Sequence, residues 1–322
     1  MRRALELAAR GTGFTSPNPM VGAVIVDSEG HIIGEGWHRR CGEGHAEVNA
    51  VASVRDPESL RHSTMYVTLE PCSHWGKTPP CARLIIDSGI PRVVVGAPDP
   101  FREVSGRGIR MLREAGVEVV TGVLAEESRR LNARFMTAHE QGRPWVTLKW
   151  AQSADGYMDS DRHPERFSNA LTGMLTHRLR SLHDAILVGS GTALADRPRL
   201  DCRLWPGRSP QPVIVDRRGR LEGTDSATAF PPRIMREQSI TELLSALYAD
   251  GITSVLAEGG PNLLQSFIDS GLWDAARVET APRELGAHGR AKAPVLTGTP
   301  VHTRTADSNR LDWYSNNPLF IP

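Results

Sequence analysis

The sequence predicts a two-domain α/β protein. Three observations carry this: strand-like apolar runs alternate with helical stretches, the alternation breaks at Gln141-Gly-Arg-Pro144, and 322 residues exceed the usual size of one domain. Domains covering residues 1–143 and 144–322 are expected. A composition of 39% apolar and 23% charged residues suits globular domains with sizeable cores. No internal repeat relates the two halves.

In the first domain, Leu5, Ala8 and Ala9 lie at helical spacing within residues 1–10, and Gly11-Thr-Gly13 ends that helix. Residues 21–27 form a short apolar run and read as a buried strand. Residues 46–54 read as a helix, 64–69 as a strand, 82–87 as a helix and 92–97 as a strand. A helix over 108–115 then leads into a strand at 117–120.

The second domain repeats the style without repeating the sequence. Strands are expected at 145–150, 185–189, 212–216, 254–258 and 277–281, with helices at 172–182, 241–249 and 262–270. Residues 217–239 are rich in Arg, Pro and Thr and give little periodic signal.

Charge and composition exclude several classes of protein. A net charge of +1 offers no long-range attraction to nucleic acid. Met1-Arg2-Arg3 leads into an amphipathic stretch containing Glu6, so no signal peptide is expected, and no run approaches the ~18 apolar residues of a membrane span. Four cysteines, two of them assigned to a metal below, do not make a disulfide framework. A cytoplasmic protein is expected.

The chemistry is concentrated in His45-Ala46-Glu47, answered by Thr68-Leu69-Glu70-Pro71-Cys72 and by Cys81. One imidazole and two thiolates make a zinc site with three protein ligands: His45, Cys72 and Cys81. Structural zinc is normally closed by four protein ligands, whereas a catalytic site keeps one place for water. Glu47 is not needed as a ligand and is free to move protons. A zinc-bound water with a pKa near ~7 beside a carboxylate can attack an amino-substituted ring carbon and help expel ammonia. Zinc nucleobase deaminases use this logic and pair H-x-E with P-C-x-x-C. Cys81 opens a predicted helix, whose positive end would stabilise its thiolate. His74, His62 and Cys41 read as ordinary packing or surface residues.

The spacing between the cysteines departs from that short pattern, because a longer insert carries Lys77 and two prolines. The run TLEPCSHWGKTPPC, preceded by HAEVNA, resembles the deaminase domain of the RibD family, the bifunctional deaminase–reductases of riboflavin biosynthesis. A transfer-RNA adenosine deaminase or a cytidine deaminase would keep the short spacing. The resemblance implies a cytidine-deaminase-like three-layer α/β/α domain. It also carries substrate-binding roles to Asn18, His38 and Lys77, with Asn18 suited to the edge of a pyrimidine and Lys77 to a phosphate. Read from the residues alone, Asn18 is a turn residue and Lys77 surface.

The second domain lacks both G-x-G-x-x-G after its first strand and a Walker sequence, so a Rossmann-type dinucleotide fold is not supported. It does have Glu258-Gly259-Gly260-Pro261-Asn262, a strand end running into a helix start, and a similar turn at Gly189-Ser-Gly-Thr192. Glycines there let backbone N–H groups approach an anion. LKWAQSADG, AILVGSGTALADRP and AEGGPNLL are similar in order and spacing to the RibD reductase domain. That likeness implies a dihydrofolate-reductase-like α/β domain using NADPH. It places Ala151, Thr192, Asp196, Gly260, Pro261, Asn262, Leu263 and Leu264 at the cofactor. It places Lys149 near the reacting sugar, Arg180, Leu200 and Arg203 at the phosphorylated substrate, where arginines suit the phosphate, and Glu258 beside that substrate.

Two departures stand out. Many relatives have a Ser-Gln-Trp-Ile-like segment where this chain has Pro164-Glu-Arg-Phe-Ser168, which puts aromatic stacking on the cofactor in doubt. The tail from about residue 291 is Thr- and Arg-rich and unlike the common ending. The resulting expectation is a homo-oligomeric enzyme of riboflavin biosynthesis with Zn2+ and NADPH, acting on a phosphorylated pyrimidine, with no nucleic-acid or membrane partner. Its rivals are a deaminase with a degenerate reductase half, a zinc deaminase of another base or nucleoside, and a non-catalytic binding protein built on a dead deaminase.

Overall fold

Two compact units, Met1–Gln141 and Gly142–Pro322, make up the chain in this computed structural model. The structure describes residues 1–75, 79–101, 105–161, 165–222, 228, 230–320 and 322.

The first unit begins with helix α1 (Arg2–Ala9), which buries Ala4, Leu7 and Ala8. Strands β1 (Gly22–Val26) and β2 (Ile32–Trp37), helix α2 (Ala46–Ala52), a short 3-10 turn (Pro57–His62), strand β3 (Thr64–Leu69) and helix α3 (Cys81–Asp87) follow. Strand β4 (Arg92–Ala97), helix α4 (Arg107–Glu114), strand β5 (Glu118–Thr121) and helices α5 (Ala125–Leu131) and α6 (Ala133–Gln141) complete it. The sheet order is β2-β1-β3-β4-β5, antiparallel at β2-β1-β3 and parallel from β3 to β5.

Alternation along the strands feeds both faces of this sheet. Ala23, Ile25, Met65, Val67, Val93 and Val95 point at α2, α3 and α4, while Val24 meets α1 on the other side. These are three layers. Strand β2, unassigned in the sequence reading, hides its pattern behind Gly34 and Gly36. A Cβ on Gly36 would lie 2.3 Å from the backbone nitrogen of Ala50. Glycine there lets α2 lie against the strand, and α2 carries His45 at its N-cap and Glu47 in its first turn.

The second unit opens on strand β6 (Trp145–Gln152) and β7 (Tyr157–Ser160), then α7 (Ala170–Ser181), β8 (Ala185–Gly189), α8 (Ser190–Asp196), β9 (Gln211–Val215) and β10 (Arg233–Met235). Helix α9 (Ile240–Ala249), β11 (Ser254–Ala257), α10 (Pro261–Ser270), β12 (Ala275–Thr280), β13 (Gly289–Lys292), β14 (His302–Ala306) and β15 (Asn309–Ser315) finish the unit. Its main sheet runs β10-β9-β8-β11-β6-β12-β15-β14. It is parallel up to β12 and antiparallel beyond.

Central strands buried on both faces read as near-continuous apolar runs, as parallel sheets require. One face packs Val146, Leu148, Leu187 and Val255 against Leu243, Leu247, Leu264 and Phe267 of α9 and α10. The other packs Ile186, Val188 and Leu256 against Leu179 of α7. The unusual tail does not hang loose: it supplies β14 and β15, which extend the sheet past β12. Within the weakly patterned stretch 217–239, Arg233–Met235 pairs with β9 as an edge strand.

Candidate active sites

In the first unit, the ligand atoms of His45, Cys72 and Cys81 all lie within 4.8 Å of one another. Cys81 Sγ is 3.3 Å and Cys72 Sγ 3.7 Å from His45 Nδ1. Three elements converge here: the start of α2, the segment after β3 and the start of α3. The first backbone N–H of α3 donates to the other cysteine, with Cys81 N 3.2 Å from Cys72 Sγ, so the thiolate held by a helix start is Cys72 rather than Cys81.

The two thiols are driven apart in acidity. Contact with Cys81 brings Cys72 down to about 4 against the opposing effect of burial, and the neighbouring His45 adds to it. Cys81 is pushed up by Cys72 and by burial. Two sulfurs this close do not both ionise in the absence of a cation. One imidazole nitrogen and two thiols converging on one point are the donor set of zinc, so the residues present fit that metal.

Glu47 is 3% exposed, and its carboxyl is raised to about 7 by burial and by Cys72. His38, 2% exposed, stacks edge-on against the His45 ring at 5.4 Å. Its Nε2 lies 3.3 Å from Asn18 Nδ2 and its Nδ1 3.2 Å from the Gly44 carbonyl. Asn18 and His38 are therefore brought together beside the candidate metal ligand His45. Lys77 lies outside the described residues.

A residue to which the sequence reading gave no role holds the frame. Glu70, 4% exposed, accepts N–H bonds from Gly106 and Gly108 at 3.0 Å, Ile109 at 3.3 Å and Asp99 at 3.4 Å. It caps α4 from a distance and ties the β3–Cys72 segment to that helix. The Glu-Pro before Cys72 was a signal for it, although the partners are far away in sequence.

In the second unit, Arg180 of α7 forms a two-pronged ion pair with Glu258 at 3.0 and 2.7 Å and donates to the Asp201 carbonyl at 3.0 Å. Burial alone would raise Glu258, but Arg180 and Lys149 outweigh it and hold the carboxylate at about 2. Arg203 is exposed and pairs with the Asp201 carboxylate, while Leu200 is buried with a left-handed φ of 55°. Lys149 and Ala151 lie on the same face of β6, and the Lys149 ammonium makes no hydrogen bond among the described residues.

The two glycine turns meet: Gly260 N donates to Thr192 Oγ1 at 3.0 Å. Gly260 is the N-cap of α10, with Pro261 and Asn262 in the first turn, and no side chain caps that end. A ten-residue helix presenting its N-terminus at such a turn suits a dinucleotide phosphate. The Leu264 side chain is fully buried in the core, which leaves only its backbone for a ligand, and Leu263 is half-buried against the same core. Asp196 ends α8, and burial raises its carboxyl, as does Asp159 nearby.

At the divergent segment, Pro164 lies outside the described residues, and Phe167 is 7% exposed with the Arg283 guanidinium over its ring. The aromatic is turned into the fold. Ser168 Oγ donates to Glu279 at 2.9 Å.

The zinc-binding region of cytidine and deoxycytidylate deaminases matches residues 1–97, and the RibD C-terminal domain matches residues 144–312. The riboflavin biosynthesis protein RibD of Bacillus amyloliquefaciens is 39% identical over 317 residues, 89% of this chain and 84% of the relative. That of Aquifex aeolicus is 38% identical over 312 residues, 89% and 87% of the two chains. The crystal structure of a diaminohydroxyphosphoribosylaminopyrimidine deaminase/5-amino-6-(5-phosphoribosylamino)uracil reductase from Thermotoga maritima superposes with a TM-score of 0.86 at 37% identity, covering 97% of this chain and 96% of the other.

Proposed function

The chain belongs to the RibD family, and from that premise we propose how its residues divide the work of a bifunctional riboflavin-biosynthesis enzyme that uses zinc and NADPH. The first unit hydrolytically deaminates 2,5-diamino-6-(5-phosphoribosylamino)pyrimidin-4(3H)-one. The second reduces the ribosyl side chain of the resulting uracil to ribityl. The convergence of His45, Cys72 and Cys81 within 4.8 Å beside a buried Glu47 carries the reading.

Zinc held by His45, Cys72 and Cys81 supplies a Lewis acid and an acidified water at the reacting carbon. Glu47 takes a proton from the attacking water and gives it to the ring nitrogen, then takes the second proton from the newly bonded hydroxyl and passes it to the amine, which leaves as ammonia as the carbonyl forms. Asn18 and His38 hold the pyrimidine edge, and Lys77 meets the phosphate.

NADPH, when bound, would supply a hydride to C1′ of the sugar, the electron pair of the C1′–O4′ bond going to O4′ and the cofactor being oxidised to NADP+. Lys149, whose ammonium makes no hydrogen bond among the described residues, gives its proton to O4′. Arg180, Leu200 and Arg203 hold the phosphorylated substrate, and Glu258 keeps Arg180 in its rotamer. Ala151, Thr192, Asp196 and residues 260–264 hold the cofactor, the last of these by backbone N–H groups at the start of α10.

No helix among the described residues is long and apolar enough to cross a membrane. The near-neutral net charge supports a small-molecule substrate without nucleic acid. A homo-oligomer and a cytoplasmic location complete the proposal, and light scattering of the purified protein tests the first. The function itself is tested by following ammonia release and NADPH loss separately with the diaminopyrimidine phosphate. Ammonia followed by NADPH oxidation supports both halves. Ammonia alone would mark the reductase half as degenerate, and neither signal from zinc-loaded protein would overturn the assignment.

A further inference from the structure

Arg277 had no role in the sequence reading. It sits on β12 directly opposite Lys149 in the parallel pairing with β6, so the two side chains leave the same face of the sheet on strands about 4.8 Å apart. It is 2% exposed. Its guanidinium is fixed to α7, donating to the Leu175 carbonyl at 3.2 Å and to Thr176 Oγ1 at 2.5 Å, with the Trp313 ring at 5.8 Å. Its Nε has no hydrogen-bond partner among the described residues. Burying an arginine with an unpaired donor is costly unless its charge is used.

The charged groups around Lys149 decide what that charge does. Glu258, after β11, is locked by both prongs of Arg180 from α7. Glu279, on β12, accepts from Ser168 Oγ and from Asn309 Nδ2. His183, at the end of α7, is engaged with Thr147 Oγ1 one pair down β6, and His177 lies near Arg180 and Arg203. Cations Lys149, Arg180 and Arg277 outnumber the carboxylates Glu258 and Glu279. Arg180 is braced by Glu258 and Arg277 by α7, whereas the Lys149 ammonium is the one cation of the three with no hydrogen bond among the described residues.

We propose that Arg277 is a positioning residue of the reduction site, a fixed buried cation that keeps the Lys149 ammonium unpaired and sharpens it as the proton donor to the sugar oxygen. The inference rests on the reductase reading above. Burial lowers the proton affinity of Lys149, Arg277 and Arg180 lower it further, and Glu258 and Glu279 oppose them. A proton donor works best with its pKa close to the working pH. A neutral residue at position 277 would leave Lys149 a weaker acid.

The test is the pH profile of NADPH oxidation by the full zinc-loaded chain with the deaminated ribosyl phosphate as substrate. Lys149 must be protonated to act, so activity falls on the alkaline side as it loses its proton. In Arg277→Met the alkaline limb moves up by about one to two pH units. Arg277→Lys, which keeps the charge, holds the limb near its original position. Arg277→Gln serves if the methionine variant does not fold, as judged by thermal midpoint and NADPH affinity. An unmoved limb in a folded neutral variant overturns the inference. Lys149→Met separates the two ideas: undiminished NADPH oxidation there would overturn the Lys149 role itself, and with it the role of Arg277.

Discussion

The carboxylate of Glu70 lies 3.0 Å from the backbone nitrogen of Gly108, and position 108 tolerates no side chain. A Cβ there would stand 1.9 Å from the Pro71 carbonyl oxygen, immediately before Cys72, a proposed metal ligand. A buried acid at the end of β3 thereby fixes a helix start, and that helix start in turn fixes the approach to the metal.

Gly108→Ala is therefore expected to push the Pro71–Cys72 segment aside. It should cost about 2–4 kcal/mol of stability, as forced overpacking and a disturbed buried hydrogen-bond network do. Glu70→Ala, which leaves several amide donors without their acceptor, should cost a similar amount. Urea midpoints and zinc stoichiometry check both. A stable Gly108→Ala protein with full zinc content would show that the clamp does not govern the metal.

Removing zinc should separate the two reactions. After chelation, ammonia release is expected to disappear while NADPH oxidation with the deaminated substrate continues. Glu47→Gln should keep zinc yet lose about 10²–10⁴-fold in deamination, the usual worth of a general acid–base group. Metal analysis alongside the ammonia assay distinguishes the two lesions. Full deamination by the Glu47 variant would remove that residue from the mechanism.

Arg180→Met leaves Glu258 buried without its fork and should destabilise the protein by about 3–5 kcal/mol. The pH dependence follows from the sign of the Glu258 shift. Its carboxyl is held at about 2 in the fold, below its ordinary 4.5. The pairing therefore contributes stability in full above 4.5, and this is lost as the pH falls through 2. Urea midpoints measured at stepped pH across that window should fall in the native protein. They should fall less in Arg180→Met, where the carboxyl has less to lose on protonation. Equal slopes in the two proteins would contradict the assignment.

Thr192→Val removes the acceptor for the Gly260 N–H. A net hydrogen bond is worth about 1 kcal/mol, so NADPH affinity should weaken about 5- to 10-fold. Quenching of protein fluorescence by NADPH measures it. Unchanged affinity would place the cofactor away from this turn.

Much of the fold could be read because periodicity is local. Residues 64–69, 92–97 and 185–189 were read as strands and form β3, β4 and β8 with those bounds. Strand β2 was missed because Gly34 and Gly36 erase its alternation, and α5 and α6 because no expectation was placed on 125–141. Strands β14 and β15 lie in a polar, Thr- and Arg-rich tail whose burial depends on β12 being there to pair with.

His45, Glu47, Cys72 and Cys81 stand out in the sequence because metal ligation and proton transfer demand particular residue types at short spacings. The sequence by itself therefore determined the family and the two chemistries, and it singled out three candidate metal ligands. Tertiary structure alone decided which thiol receives the helix N–H, that Glu70 clamps α4, that Arg180 is already engaged by Glu258, and that Arg277 stands across from Lys149. These relationships join residues that are remote in the chain, and strand pairing and burial set them. A motif reports the chemistry a side chain offers, whereas the field around that side chain depends on which strands and helices become its neighbours.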